Sequence, residues 1–439
     1  MKYWISILLF VTVFGLYGQE RVFSLQHCIT TGLVRNYDIR MIRNSQQISD
    51  NNLSRGNAGF LPQLDLSAGY SGLLNNTEQR MESTGEIISI SGEHNQTLNA
   101  GINLNWTVFD GFNIQTSYNR LKELQQVGEL NTRLTVENFV AEVAAEYYNF
   151  IQQQIRLKSL QYAVRLSNER VRIVEARYVI GAASRLEFQR AKVDFNSDSS
   201  RLVQQNEVLF KSRIKLNELM ALDDVEQEVV LADSIIETGS GMEKETLMRQ
   251  LLSDNILLLL YRKDRKLAEL NLKMAKSQNY PYVKLSVGYG YSHYLYDRGT
   301  FDRQQTLGLN YGILLGYSLF DGGNRRRQLK NASLEISNKE LEYRKLELSL
   351  RGDFSNIWMA YLNNRELKEL EKENLQTAQD SYGIAIDRYK LGDLAGFELR
   401  EAQNQLIEAE ERLVQAQYNT KLCEISLLQI SGQILNLLD

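Results

Sequence analysis

The chain has 439 residues, 43% of them apolar and 24% charged, a globular balance that excludes extended disorder. Its 54 acids outnumber its 50 bases, so no positive excess advertises a nucleic-acid partner. Cys28 and Cys423 form no CxxC, and His27, His94 and His293 are isolated, with no HExxH, nucleophile elbow, phosphate loop or strand-preceded GxGxxG. Neither an enzyme nor a cofactor or metal site is expected.

In chain order, Lys2 is followed by an apolar run from Trp4 to Phe14, then by small residues ending at Gly18 before Gln19-Glu20. One positive charge, a short apolar stretch and a small residue before a polar one read as a cleaved secretory signal over residues 1–18. The run is short for a membrane anchor, which needs about 20 apolar residues.

Beyond that point an internal repeat organises the sequence. Phe109-Asp110-Gly111 recurs as Phe320-Asp321-Gly322, an offset of 211 that also maps Arg177-Tyr178 onto Arg388-Tyr389, Gly181 onto Gly392 and Glu187 onto Glu398. Upstream the offset is 219, mapping Asn36 onto Asn255 and Pro62 onto Pro281. The first copy therefore carries eight extra residues, placed in the polar segment 71–97. Residues 19–237 form the first repeat, 238–242 a linker, and 243–439 the second repeat. The chain's two prolines occupy matching places and mark an architectural boundary.

Before each proline lie helical stretches, roughly 24–57 and 243–278; after it the hydrophobic period drops to two. Leu307, Leu309, Tyr311, Ile313, Leu315, Tyr317 and Leu319 alternate with Gly308, Asn310, Gly312, Leu314, Gly316 and Ser318. Similar alternation predicts strands at about 63–73, 97–109, 282–294 and 305–320, one hairpin per repeat. A half-buried sheet in a soluble protein would also alternate. Strands this long can cross a bilayer, however, which takes about 9–11 tilted residues. The apolar face is also rich in tyrosine, and 8 of the 23 tyrosines fall within residues 279–320, as suits rings at lipid interfaces. Four strands cannot close a barrel, so several chains would have to share one. The polar segments 71–97 and 295–304 are read as its outward loops.

After each Phe-Asp-Gly comes a long proline-free helical hairpin, about 113–222 and 324–434. A 67-residue helix is about 100 Å long. Gly181 and Gly392 mark the two tips. The second returning helix keeps a seam spaced four and three: Ala402, Leu406, Ala409, Leu413, Ala416, Thr420, Cys423, Leu427, Ile430 and Ile434. The first return is looser, with Asp198, Gln205 and Ser212 interrupting the seam.

In their order and duplication, these features resemble the TolC-like outer membrane efflux protein family. They are Leu61-Pro62, Phe109-Asp110-Gly111, Tyr178 to Glu187, Tyr280-Pro281, Phe320-Asp321-Gly322-Gly323 and Tyr389 to Ala402, behind a signal segment. The resemblance covers essentially the whole mature chain. It implies a mainly α fold with a β-barrel contribution, in which a homotrimer builds one twelve-stranded outer-membrane barrel and a twelve-helix periplasmic tube. It further implies a passive exit duct for tripartite efflux or type I secretion, docked to a periplasmic adaptor and, through it, to an inner-membrane transporter. By the same resemblance Glu398 and Glu401 form a cation-selective ring at the narrow mouth; they are three apart, so both can face one side of a helix. Tyr389 and Glu187 match a tip-to-tip link that holds the gate closed. A second link, arginine to hydroxyl in the family, falls on Leu394 and Leu186 here, where an apolar contact could replace it. The resemblance also implies that Gly181 and Gly392 are the adaptor-docking tips.

Two other readings exist. A secreted coiled-coil protein without a pore would show no lipid-facing alternation, and a nutrient porin would need eight or more strands per chain and little helix. Arg325-Arg326-Arg327, at the expected barrel base, suits anionic headgroups as well as a solvated helix start.

Overall fold

The computed structural model describes residues 22–239, 241–297 and 301–438, so the expected signal segment lies outside the described residues. The first repeat gives β1 (Val22–Phe23), α1 (Leu25–Arg35), α2 (Tyr37–Asn52), α3 (Arg55–Ala58), β2 (Gln63–Arg80), β3 (Ile87–Phe109), α4 (Asn113–Val179) and α5 (Arg185–Leu219). After β4 (Val230–Leu231) the second gives α6 (Lys244–Asp254), α7 (Ile256–Ser277), β5 (Tyr282–Leu295), β6 (Arg303–Gly316), α8 (Asn324–Leu391) and α9 (Gly396–Ile430). A 3-10 turn, Ile434–Leu438, follows. The chain divides into two compact units: one gathers residues up to 42, 132–256 and 347 onward, the other 43–131 and 257–346. Each draws on both repeats.

The duplicated residues perform duplicated tasks. Both helical stretches before a proline break at an asparagine, Asn36 and Asn255, and the first breaks again at Leu53-Ser54. The Asn36 side-chain amide donates to the Leu219 carbonyl at 3.1 Å, and that of Asn255 to the Ile430 carbonyl at 2.9 Å. Those carbonyls end α5 and α9, where no helical partner remains. Each asparagine thus stops one helix and satisfies the end of another.

The Phe-Asp-Gly triplets convert strand into helix. Asp110 Oδ1 accepts the Ile114 N–H at 3.1 Å, and Asp321 Oδ2 accepts that of Arg325 at 2.7 Å. Both carboxylates satisfy first-turn donors. Gly111 has a φ of 70° and sits where a Cβ would press on the Ser277 carbonyl and lie 2.8 Å from Tyr280 Cβ, so only glycine fits. From these caps start α4 and α8, of 67 and 68 residues.

In the unit containing them, the four long strands form one antiparallel sheet in the order β2-β3-β5-β6. The expected alternation becomes two sets of rows. Leu66, Ile102, Tyr289 and Leu309 pair across all four strands, as do Leu64, Leu104, Val287 and Tyr311. Between them on the other face run Ser67, Gly101, Gly290 and Gly308, and Asp65, Asn103, Gly288 and Asn310. The apolar face is bare: Leu66, Tyr311 and Ile313 are 82%, 81% and 76% exposed. Within this chain β2 and β6 are each paired on one side only.

The segment 71–97 is not an outward loop for most of its length. β2 continues to Arg80 and β3 starts at Ile87, joined by a short turn in which Met81 N–H donates to the Glu86 carbonyl at 2.9 Å. The backbone ladder, not side-chain alternation, carries this extension. Its irregularity at Asn75/Thr77 is fastened by Asn76 Oδ1, which accepts the Gly92 N–H at 2.8 Å. At the opposite end β6 stops at Gly316, short of the expected residue 320. Arg325 is partly held, donating to the Gln278 carbonyl at 3.2 Å, while Arg326 and Arg327 are exposed.

The other unit is built around Cys28, Ile29, Val140, Val143, Tyr147, Ile151, Leu216 and Met220. Burial pushes the Cys28 thiol up to about 12, leaving it an inert core group. β1 and β4 pair in parallel, Val22 with Val230. The stretch after β4 then runs as a strap: the Tyr147 hydroxyl donates to Asp233 at 2.7 Å, Ile236 is buried, and Lys368 donates to Thr238 at 3.0 Å. Glu424, 3% exposed, accepts from Lys421 at 3.0 Å.

Asn255→Ala should destabilise the chain by about 1 kcal/mol, because it deletes one hydrogen bond and orphans the Ile430 carbonyl; calorimetric melting measures it. Burial pushes the Glu424 carboxyl up, with Lys421 opposing. The folded chain therefore binds that proton more tightly than the unfolded one, so this group adds stability as pH falls from neutrality toward the ordinary glutamate range. Glu424→Gln should flatten that part of the melting-temperature profile.

Candidate functional site

The two hairpin tips lie in the helical unit. Each long helix ends on a left-handed glycine, Gly181 with a φ of 77° and Gly392 with 86°. Gly181 N–H donates to the Tyr178 carbonyl at 3.0 Å and Ala182 N–H to Arg177 at 2.7 Å. Gly392 and Asp393 repeat the pattern on Tyr389 at 3.1 Å and Arg388 at 3.0 Å. Both are double C-terminal caps of the kind left-handed glycine makes possible. A Cβ at either glycine would meet nothing within 4 Å.

The helices that leave the tips start differently. Ser184 caps α5, its hydroxyl accepting the Glu187 N–H at 3.1 Å. Ala395 precedes α9 and has no such group; instead Glu398 Oε2 accepts the Ala395 N–H at 3.2 Å. Glu401, one turn on, accepts from Gln405 at 3.1 Å. Both acids are exposed and sit on the first turns of α9.

A small apolar cluster closes the tips: Val174, Phe188, Tyr382, Tyr389, Leu399 and Leu406, with Leu394 packed against it. Leu186, by contrast, is 61% exposed, so the two leucines that match the missing link point to different surroundings. Tyr389 is fully buried. Arg177 lies over its ring at 4.9 Å and donates to its carbonyl at 2.9 Å. Among the described residues its hydroxyl has no hydrogen-bond partner. A Cβ on Gly396 would sit 4.0 Å from that hydroxyl and 3.5 Å from Glu187 Oε1, so both groups face the gap the glycine leaves. Burial pushes the Tyr389 phenol up, Arg177 opposes, and Glu187 adds to the rise.

Next to this cluster is a polar network that sequence reasoning missed. Arg400 of α9 grips Asp198 of α5 through two hydrogen bonds, of 2.6 and 2.7 Å. Asp198 also accepts from Ser167 of α4, which in turn accepts from Gln403 at 3.3 Å. Arg170 of α4 pairs with Asp194 and reaches the Gly396 carbonyl at 3.4 Å. Arg170, Asp194 and Arg400 border an open groove of about 570 Å³ that also touches Glu187 and Phe397. The one signal in the sequence was Asp198 itself, the one acid among the polar residues that interrupt the first returning seam.

Against known proteins, the family model of outer membrane efflux proteins matches residues 29–222 and 247–433, one match per repeat. The chain belongs to the outer membrane efflux protein family. Its relatives include the outer membrane protein TolC of Vibrio cholerae, 21% identical over 86% of this chain and 83% of that protein. Another is the toluene efflux pump outer membrane protein TtgC of Pseudomonas putida, 22% identical over 93% and 83%. The fold is similar to that of a membrane protein from Pseudomonas aeruginosa, with a TM-score of 0.76, 15% identity and 93% of each chain covered. It is similar too to the outer membrane protein VceC of Vibrio cholerae, with a TM-score of 0.71, 18% identity, and 93% and 96% covered. For an outer membrane efflux protein, a secreted coiled-coil without a pore finds no support. No described helix is long and apolar enough to cross a membrane.

Because the Tyr389 hydroxyl is buried without a partner, Tyr389→Phe should leave folding stability unchanged or raise it slightly, whereas Arg177→Ala should lower it by about 1–2 kcal/mol. Urea titration followed by circular dichroism separates the two.

Proposed function

We propose that three copies of this efflux protein form a passive exit duct, serving an inner-membrane transporter through a periplasmic adaptor in tripartite efflux or type I secretion. The observation that carries the proposal is the single four-stranded sheet with a bare apolar face and two open edges. Backbone groups cannot stay unpaired in lipid, and three copies would supply twelve strands, enough to close a barrel. The two repeats, 19–237 and 243–439, would each contribute one hairpin to the barrel and one to the periplasmic tube. Residues Gly181 and Gly392 would be the adaptor-docking tips, since both are exposed and open around the Cα. At the mouth, Tyr389, Glu187, Leu394 and Leu186 would form the gate.

Glu398 and Glu401 would line the constriction. Both are exposed, and neither has an ion-pair partner among the described residues. Six carboxylates brought together by three-fold symmetry would favour cations. The test is a planar-bilayer recording under a potassium chloride gradient. The purified protein should show a clear cation preference, and the Glu398→Gln/Glu401→Gln variant should lose most of it, its reversal potential moving toward zero. Class averages in the electron microscope should show a three-fold hollow particle. A solid rod would sink the duct.

A further inference from the structure

We propose that the buried pair Arg400–Asp198 is the clamp that holds the two hairpin tips together in the closed state. This inference rests on the duct reading above and names the residues that hold its gate. The link expected at Leu394 and Leu186 has no polar atoms, and the Tyr389 hydroxyl is not bonded to Glu187. Beside the contact of Arg177 with Tyr389, a second polar joint connects the α8–α9 hairpin to the α4–α5 hairpin.

The polar network does so. Arg400 and Asp198 have side chains 13% and 1% exposed, in a two-pronged contact of 2.6 and 2.7 Å. The guanidinium plane and the carboxylate match in geometry, which gives such pairs direction as well as strength. Around them, Gln403 of α9 donates to the Ala163 carbonyl of α4 at 3.2 Å, and Arg170 of α4 reaches Gly396 of α9. Every one of these bonds runs between the hairpins. A movement of α9 away from α4 and α5 must break them together, and Asp198 then loses its arginine and keeps only Ser167. Breaking a buried pair is strongly unfavourable, while the intact pair adds little beyond its desolvation cost. That asymmetry suits a joint with one permitted register. Arg400 also lies between Glu398 and Glu401 in sequence, so fixing it fixes the turn that carries the acidic ring. Shielded from solvent, the clamp should respond weakly to salt.

The test is single-channel conductance of the full chain in planar bilayers, for the wild type, Asp198→Asn, Arg400→Gln and the double variant. The clamp predicts that each single variant raises the conductance of the resting channel at least threefold, and that the double variant rises no further than the larger single. Arg400→Lys, which keeps the charge but loses the two-pronged contact, should fall between wild type and Arg400→Gln. Melting by circular dichroism runs alongside. Unchanged conductance in variants that melt well below wild type would make the pair merely structural and overturn the proposal. Conductance gains that add in the double variant would overturn it as well, since the two residues would then act separately. If the single variants do not fold, Arg400→Lys decides, and wild-type conductance in that variant overturns the clamp. A wild type that forms no channel would instead defeat the duct reading, so the two failures are distinguishable.

Discussion

The backbone of a sheet edge has hydrogen-bonding groups that only another strand or water can satisfy. In this chain β2 and β6 are such edges, and rows such as Leu66, Ile102, Tyr289 and Leu309 expose an apolar face beside them. Water is the wrong solvent for that face, and lipid is the wrong solvent for those edges. The two demands meet only where the edges are closed by further strands. The polar rows fit the same arrangement from the other side: Gly288 lacks a side chain where the Asn103 and Asn310 amides converge, with Asn103 Oδ1 2.7 Å from where a Cβ would stand. Small residues there leave room for amide groups and water.

Duplication lets one set of local solutions serve twice. Asp110 and Asp321 cap the long helices; Asn36 and Asn255 break the short ones while satisfying the ends of α5 and α9; Gly181 and Gly392 cap both tips. These pairs have no latitude, because each answers a backbone requirement that is the same in both copies. Divergence is found where the backbone leaves freedom. Ser184 caps α5, but at α9 the cap falls to an alanine and the carboxylate of Glu398 reaches back in its place. The returning helices differ similarly: α9 buries Ala402, Leu406, Ala409 and Ala416, while α5 buries Asp198 and Ser212 on its seam.

How much of this was legible follows from the range of the interactions involved. Alternation is a property of consecutive residues, so the strands, their apolar face and the position of the Phe-Asp-Gly turns could be read directly. The continuation of the first hairpin to Arg80 and back from Ile87 could not, because outside the apolar band nothing constrains which face a side chain takes. The parallel pair β1–β4 is two residues long and joins positions some two hundred apart, too little pattern for any periodicity. Asn36 and Asn255 were visible as repeated residues, but the helix breaks they make were not, because their function depends on carbonyls supplied by the ends of other helices. At the tips, the glycines and acids could be located, whereas Arg400–Asp198 joins residues 202 apart in sequence. Only its acidic half left a trace, as a charge where the seam called for an apolar side chain.

That misplaced charge also explains why the tip differs from the core around Tyr147. There, Val140, Val143, Ala144 and Ile151 pack without needing a preferred partner atom by atom, and such packing tolerates small slips in register. A carboxylate inside a helical seam tolerates none. Asp198 must meet Arg400 and Ser167 or stay buried unsatisfied, so the network admits one alignment of α9 against α4 and α5 and penalises all neighbouring ones. An apolar seam would have held the tips at least as firmly. What it would not provide is a joint that can part and return to the same register, and a duct that opens at one end has to do both.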